Sequence, residues 1–166
     1  MADAYFDLLA RYNEWANERL YEACARLDEA DFKAARPAFF GSIQATLNHI
    51  LVGDRLWLSR LAGGSLALAL NTILYKDLAP LRAARRAQDT LLRELVGAIA
   101  ASQLDEPLVY RNTRGEEFAT PIRLVLGHLF NHQTHHRGQV HDMLSQTAVA
   151  PPELDLIFFV RMASGA

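Results

Sequence analysis

The chain has a single cysteine, Cys24, among 166 residues. One thiol excludes an intramolecular disulfide framework and fits a reducing cytoplasm. Cys24 lies in a helical pattern and reads as core filler rather than as a nucleophile. Charge of either sign is nearly balanced, with a formal net charge of -2 and an isoelectric point near 6.3. That argues against a broad electropositive surface for nucleic acid. The basic run Arg82-Ala83-Ala84-Arg85-Arg86 reads as a solvated helix face. Long apolar runs are missing too: stretches such as Leu66 to Leu70 are far too short to span a bilayer, and no charged-then-apolar leader opens the sequence. A soluble, cytoplasmic protein is expected. Repeats and low-complexity segments are also lacking, and the length suits one domain over residues 1–166 with a substantial core, not two.

What the chain does have is helical periodicity, in four long patterns separated by breakers. Tyr5, Leu9, Tyr12, Ala16, Leu20, Ala23 and Leu27 recur at three- and four-residue spacing and stop near Asp28. Phe32 to Gly41, with Pro37, reads as a connection. Ser42 then caps a second helix with the stripe Ile43, Leu47, Ile50, Leu51, Trp57, Leu58 and Leu61, ended by Gly63-Gly64. Asp54 falls on that stripe. An unpaired carboxylate there would cost several kcal/mol, so it must be paired or face something polar. Ser65 to Pro80 reads as a long crossover loop, and Leu78, Leu81, Leu91, Leu92, Leu95 and Ile99 mark a third helix from about Leu78 to Ala101. Leu108-Val109-Tyr110 and Glu117-Phe118 flank the turn-forming Asn112-Thr113-Arg114-Gly115, the pattern of a small hairpin. Thr120-Pro121 supplies an N-cap side chain and a first-turn proline for a last helix from about Pro121 to Gln146. After the Ala150-Pro151-Pro152 break, the apolar tail Leu154 to Val160 is expected to pack back on the helices. Four helices with a long second connection predict an all-α four-helix bundle with a crossover, whose ligands project inward from facing helices.

The last helix carries four of the chain's six histidines within nine positions, at 128, 132, 135 and 136. Ile122, Val125, Leu126, Leu129, Val140, Met143 and Leu144 define its apolar stripe. At about 100° per residue, His136 lies about 30–40° from the stripe centre and His132 about 70–80°, while His128 and His135 lean towards solvent. A lone histidine near an apolar face is ordinarily a hydrogen-bonded core residue, but two on one rim, four residues apart, have metal-ligand spacing. His132-Gln133-Thr134-His135-His136 also has the histidine spacing of the zinc-protease signature. Gln133, however, stands where that mechanism needs a glutamate base, and an amide cannot accept the proton. A third ligand should come from another helix, where only His49 remains. On its own wheel His49 lies off the stripe centre, near Gly53 and Leu56, so pattern alone leaves it open between ligand and bystander.

Phe130, Thr134, Gly138 and Ser145 form a narrow strip away from the histidine rim. A mid-helix glycine costs about 1 kcal/mol relative to alanine unless something approaches closely. Either a twofold-related helix, giving a homodimer, or the third helix of the same chain would be that neighbour.

The residues Tyr12-Asn13-Glu14-Trp15-Ala16-Asn17, Leu47-Asn48-His49-Ile50 with Asp54 and Trp57, and Asn131-His132-Gln133-Thr134-His135-His136-Arg137-Gly138-Gln139-Val140 resemble the DinB-like (DNA-damage-inducible) family of small metal-binding bundles. The match spans nearly the whole chain. The resemblance implies an up-down-down-up bundle and a metal site of His49, His132 and His136. Three neutral imidazoles suit Zn²⁺ or Ni²⁺ and leave positions for water or substrate. Relatives of this kind include thiol-dependent S-transferases and isomerases, so the implied chemistry is activation of a low-molecular-weight thiol, or of water, for attack on a small electrophile. The alternative is a metal-binding stress-response protein without turnover. Asp54 is a candidate for acid/base duty or for bracing a metal-bound imidazole, against a buried pair with an arginine. Asn13, Asn17 and Asn48 read as braces or caps before they read as catalytic.

Overall fold

A computed structural model describes residues 3–165. Helix α1 runs Ala4–Cys24, its first turn capped by Asp3, whose carboxylate accepts from the amides of Tyr5 and Phe6. It ends a turn before the apolar stripe does, because Leu27 still reaches the core from a turn outside the helix. A short helix α2, Glu29–Lys33, follows, capped by Asp28 and anchored by buried Phe32. Five residues are too few for a helical period to show, and this stretch overlaps the connection expected from Phe32 onward. Helix α3, Ile43–Leu61, starts on Ser42, whose hydroxyl accepts from the Ala45 amide. The crossover then leads to α4, Leu78–Ala98. Strands β1, Pro107–Arg111, and β2, Glu117–Pro121, pair antiparallel with Tyr110 opposite Phe118. Helix α5, Ile122–Ser145, carries the histidines, and α6, Leu156–Ala163, closes the chain.

Two further boundaries differ from the sequence reading. Helix α4 ends at Ala98 rather than near Ala101, where Ile99 turns to extended backbone. Thr120 does not cap α5. It pairs with Leu108 inside β2, and the first amides of α5 donate instead to the main chain, Ile122 to the Glu106 carbonyl and Arg123 to the Leu104 carbonyl. Those carbonyls satisfy donors that a helix start leaves free, so no side-chain cap is needed.

Residue pairings fix the helix directions. Along α1, Glu14 meets Arg93 and Glu18 meets Arg86, so α1 and α4 are antiparallel. Phe6 stacks near Phe130 while Asn13 meets Arg137, so α1 and α5 are parallel. Trp57 lies against His128 and His49 against His132, which makes α3 and α5 antiparallel. The bundle is therefore up-down-down-up, with the hairpin before its last helix. As expected for the apolar tail, α6 buries Phe159 against Tyr12 and Trp15 of α1, and the Tyr12 hydroxyl donates to the Leu154 carbonyl.

The core is two apolar layers with a polar layer between them. One layer holds Leu20, Ile43, Leu47, Leu81, Val140 and Met143, and the other holds Leu58, Leu92, Val96, Leu126 and Leu129. Between them every long helix contributes polar side chains. Arg85 donates to Asp54 at 2.5 Å and to Asp89 at 3.1 Å. Asn13 and Asn17 donate to Asp89, Gln133 donates to Asp54, and Arg137 donates to Asn13, Asn17 and Gln133. Two arginines balance two aspartates, which is what lets such a layer exist in a core. Burial pushes both carboxyls above the usual carboxylate range, Asp89 to about 6, and Arg85 opposes that rise.

Arg85 is thus no part of a solvated face, being 2% exposed. It lies four residues after Leu81 and seven before Leu92, on the stripe itself, whereas Arg82 and Arg86 turn outward to Glu18. Among the described residues no helix is long and apolar enough to cross a membrane. Of the strip on α5, Phe130 belongs to the chain's own core, while Thr134, Gly138 and Ser145 are exposed.

Candidate metal centre

His49 sits in the second turn of α3, and His132 and His136 sit one turn apart on α5. Because the two helices run antiparallel and in contact, the three rings meet. Their centroids are 4.3 to 5.0 Å apart, and one ligand nitrogen from each lies within 4.8 Å of the others. His49 Nε2 is 3.1 Å from His132 Nε2. Among the described residues no other group of three or more histidine, cysteine, aspartate or glutamate side chains is so arranged.

Protonation follows from the partners. His49 Nδ1 is 2.8 Å from the Leu70 carbonyl, an oxygen that can only accept, so Nδ1 carries the proton and Nε2 keeps its lone pair. His136 Nδ1 makes the same kind of contact with Gln139 Oε1 at 2.8 Å. Gln139 in turn donates to His135 Nε2. Burial, and then the neighbouring His136 and His49, push His132 down to about 3. Burial also lowers His49 and His136. The imidazoles are therefore neutral at pH 7, the form a metal requires.

Two further residues build the site: Asn48, which the sequence reads as a brace or a cap, and Phe40, which sequence patterning did not single out. Asn48 spans the gap to the crossover: its amide donates to the Tyr75 carbonyl and its carbonyl accepts from the Tyr75 amide. That double bond fixes the loop that carries Leu70, and so fixes the His49 ring. Phe40, from the connection before α3, stacks on His49 with centroids 3.9 Å apart. Coverage by these two segments explains why His49 is buried although its helical wheel pointed away from the stripe. Of the other histidines, His128 lies against Trp57 and His135 is exposed; neither they nor His141 joins the group.

A cleft of about 590 Å³ opens over the three rings, lined also by Phe39, Phe40, Leu70, Asn71, His135 and Gln139. Asp54 makes its hydrogen bonds to Arg85 and Gln133, with no histidine among its partners. Its connection to the site runs through Gln133, the residue next to His132.

Gly53 faces His132. A β-carbon there would stand 3.0 Å from His132 Cε1, closer than the ring tolerates without moving. Gly53→Ala should therefore separate two effects. Helix propensity favours alanine by about 1 kcal/mol, so the melting temperature of metal-free protein should rise or hold. Metal affinity should fall, because the displaced His132 ring no longer points at the common centre. Calorimetric melting and a competitive zinc titration of the one variant check both halves.

The DinB family model matches residues 1–165 of the chain. Protein DinB of Bacillus subtilis (strain 168) is 30% identical over 168 residues, spanning 96% of this chain and 96% of that one. Matches that run nearly end to end, in a bundle of the topology its sequence resemblance implied, show that this protein belongs to the DinB family.

Proposed function

We propose that the protein is a metal-dependent enzyme in which His49, His132 and His136 hold one Zn²⁺ or Ni²⁺ and a low-molecular-weight thiol is activated for transfer to a small electrophile. The observation that carries this reading is the open cleft over three converging neutral imidazoles. Structural zinc sites are closed by four protein ligands, whereas three ligands and a solvent-facing side leave room for a reactant. The donor set fits the metal, since imidazole nitrogens suit both ions and two of the three rings are oriented by hydrogen bonds at the opposite nitrogen. A divalent ion held there lowers the pKa of a thiol or of water and so supplies a nucleophile at neutral pH.

The chain's own residues do the rest. Leu70 and Gln139 keep the lone pairs aimed inward. Phe39, Phe40 and the Leu70 side chain give the reactant an apolar wall. Asp54 acts as a positioning group, through Gln133, and holds α5 in rotational phase. The test is a panel of glutathione, cysteine and bacterial sugar thiols, each with a fluorogenic bimane electrophile. Metal-loaded protein should accelerate conjugation with at least one thiol, and His132→Ala should lose that acceleration. Rates equal to the protein-free control for every thiol would favour metal binding without turnover.

The oligomeric reading is a homodimer through the exposed face of α5. A methyl group on Gly138 would meet nothing within 4 Å among the described residues, so packing among them does not account for a glycine there. Light scattering at micromolar concentration should give twice the chain mass, and a monomer mass would refute it.

A further inference from the structure

A second cleft, of about 920 Å³, lies between the crossover at Gly64 to Leu70 and the hairpin at Val109 to Thr113. It meets the histidine cleft at Leu70. Its walls are largely apolar, and Leu66, Leu70 and Val109 are exposed large hydrophobic residues among the described ones. Leu66, Leu68 and Leu70 fall at every second position of the crossover, which has no regular secondary structure there.

Two arginines line this cleft, and they differ. Arg111 is engaged by Glu117 at 2.9 Å and by the Gly115 carbonyl. Arg60 has no carboxylate within ion-pair distance among the described residues. Its guanidinium carbon lies 4.6 Å from the Trp57 ring centre and 5.2 Å from that of Tyr110. Contact with two aromatic rings restricts the side chain and leaves its donors unpaired, which is a pre-organised anion receptor. Burial lowers its pKa from the ordinary arginine value, and an incoming anion offsets that loss of solvation.

We infer that this cleft binds a small amphipathic carboxylate, its carboxylate paired with Arg60 and its apolar chain lying along Leu66, Leu68 and Leu70. A planar guanidinium fork matches a carboxylate in two parallel hydrogen bonds. One free cation among apolar walls suits a monoanion. A phosphate dianion would need a second cation, and Arg111 is already neutralised by Glu117. The site involves none of the three histidines, so it stands whether or not the metal reading does.

Isothermal titration with octanoate, octanol and octyltrimethylammonium tests it, on wild-type protein and on metal-free His132→Ala protein. Octanoate should saturate one site per chain in both. Arg60→Met should weaken octanoate at least about tenfold, the scale of one charge-assisted hydrogen bond, and Arg60→Lys should fall between. Octanol should bind at least about tenfold more weakly than octanoate, and the ammonium should not bind. Val109→Glu, on an exposed strand position, should abolish octanoate binding by repulsion without disturbing the fold. Absence of saturable octanoate binding, unchanged affinity in Arg60→Met, or octanol binding as tightly as octanoate would each overturn the assignment.

Discussion

Alanine at His49, His132 or His136 should strip most of the metal from purified protein that otherwise carries about one divalent ion per chain, while alanine at His135 or His141 should leave it in place. The loss should be large because, on the proposed reading, each ring supplies one of only three protein ligands. Removing a residue that merely orients a ligand costs about 10–100-fold in metal affinity, and removing the ligand itself must cost more. His135 is the informative control, since it adjoins His136 and accepts from the same Gln139 but lies outside the cluster. Elemental analysis of the five variants, each checked for helical content, decides the matter. Full metal retention in His132→Ala would be incompatible with the three-histidine centre.

Asp54→Ala should be the most destabilising single change in the polar layer, by about 3 kcal/mol or somewhat more. Removing one partner of a buried pair leaves the other charge without compensation, a loss of about 3–5 kcal/mol in comparable cases. The lower end applies because Arg85 keeps its contact with Asp89 at 2.9 Å. Gln133 loses its acceptor as well. Asp54→Asn keeps an acceptor for one of these donors and should cost roughly half as much. Urea denaturation of metal-free protein measures both, and a midpoint unchanged in Asp54→Ala would show that the layer is not held by this pair. Metal content separates the roles. Because Asp54 touches no histidine, folded Asp54→Asn protein should still bind close to one ion per chain, with any loss of conjugation rate reflecting a shifted α5 rather than a lost proton carrier.

Much of this protein is local in origin and so could be read along the chain. Four amphipathic periods, the Ser42 cap, the Asn112 to Gly115 turn and the four-residue spacing of His132 and His136 each depend on neighbours within a turn or two. The resemblance to a known family supplied His49, which periodicity alone had left undecided, and with it the bundle topology. Asp54 announced itself as a carboxylate on an apolar stripe, but its partner could not be named, since Arg85 lies 31 residues away on another helix. The same distance hid Arg85, whose place in a basic run suggested solvent.

Sequence by itself determined which residues lie on which face of each helix, because a 3.6-residue period is a property of one chain segment. Tertiary structure decided which faces meet at which height. His49 and His132, 83 residues apart, come within 3.1 Å only because α3 and α5 pack antiparallel in one register. The start of α5 likewise rests on carbonyls of Leu104 and Glu106 rather than on a side-chain cap. Helical period carries no information about the register between helices, which is set by the packing of the two apolar layers and by the hydrogen-bonded charges between them.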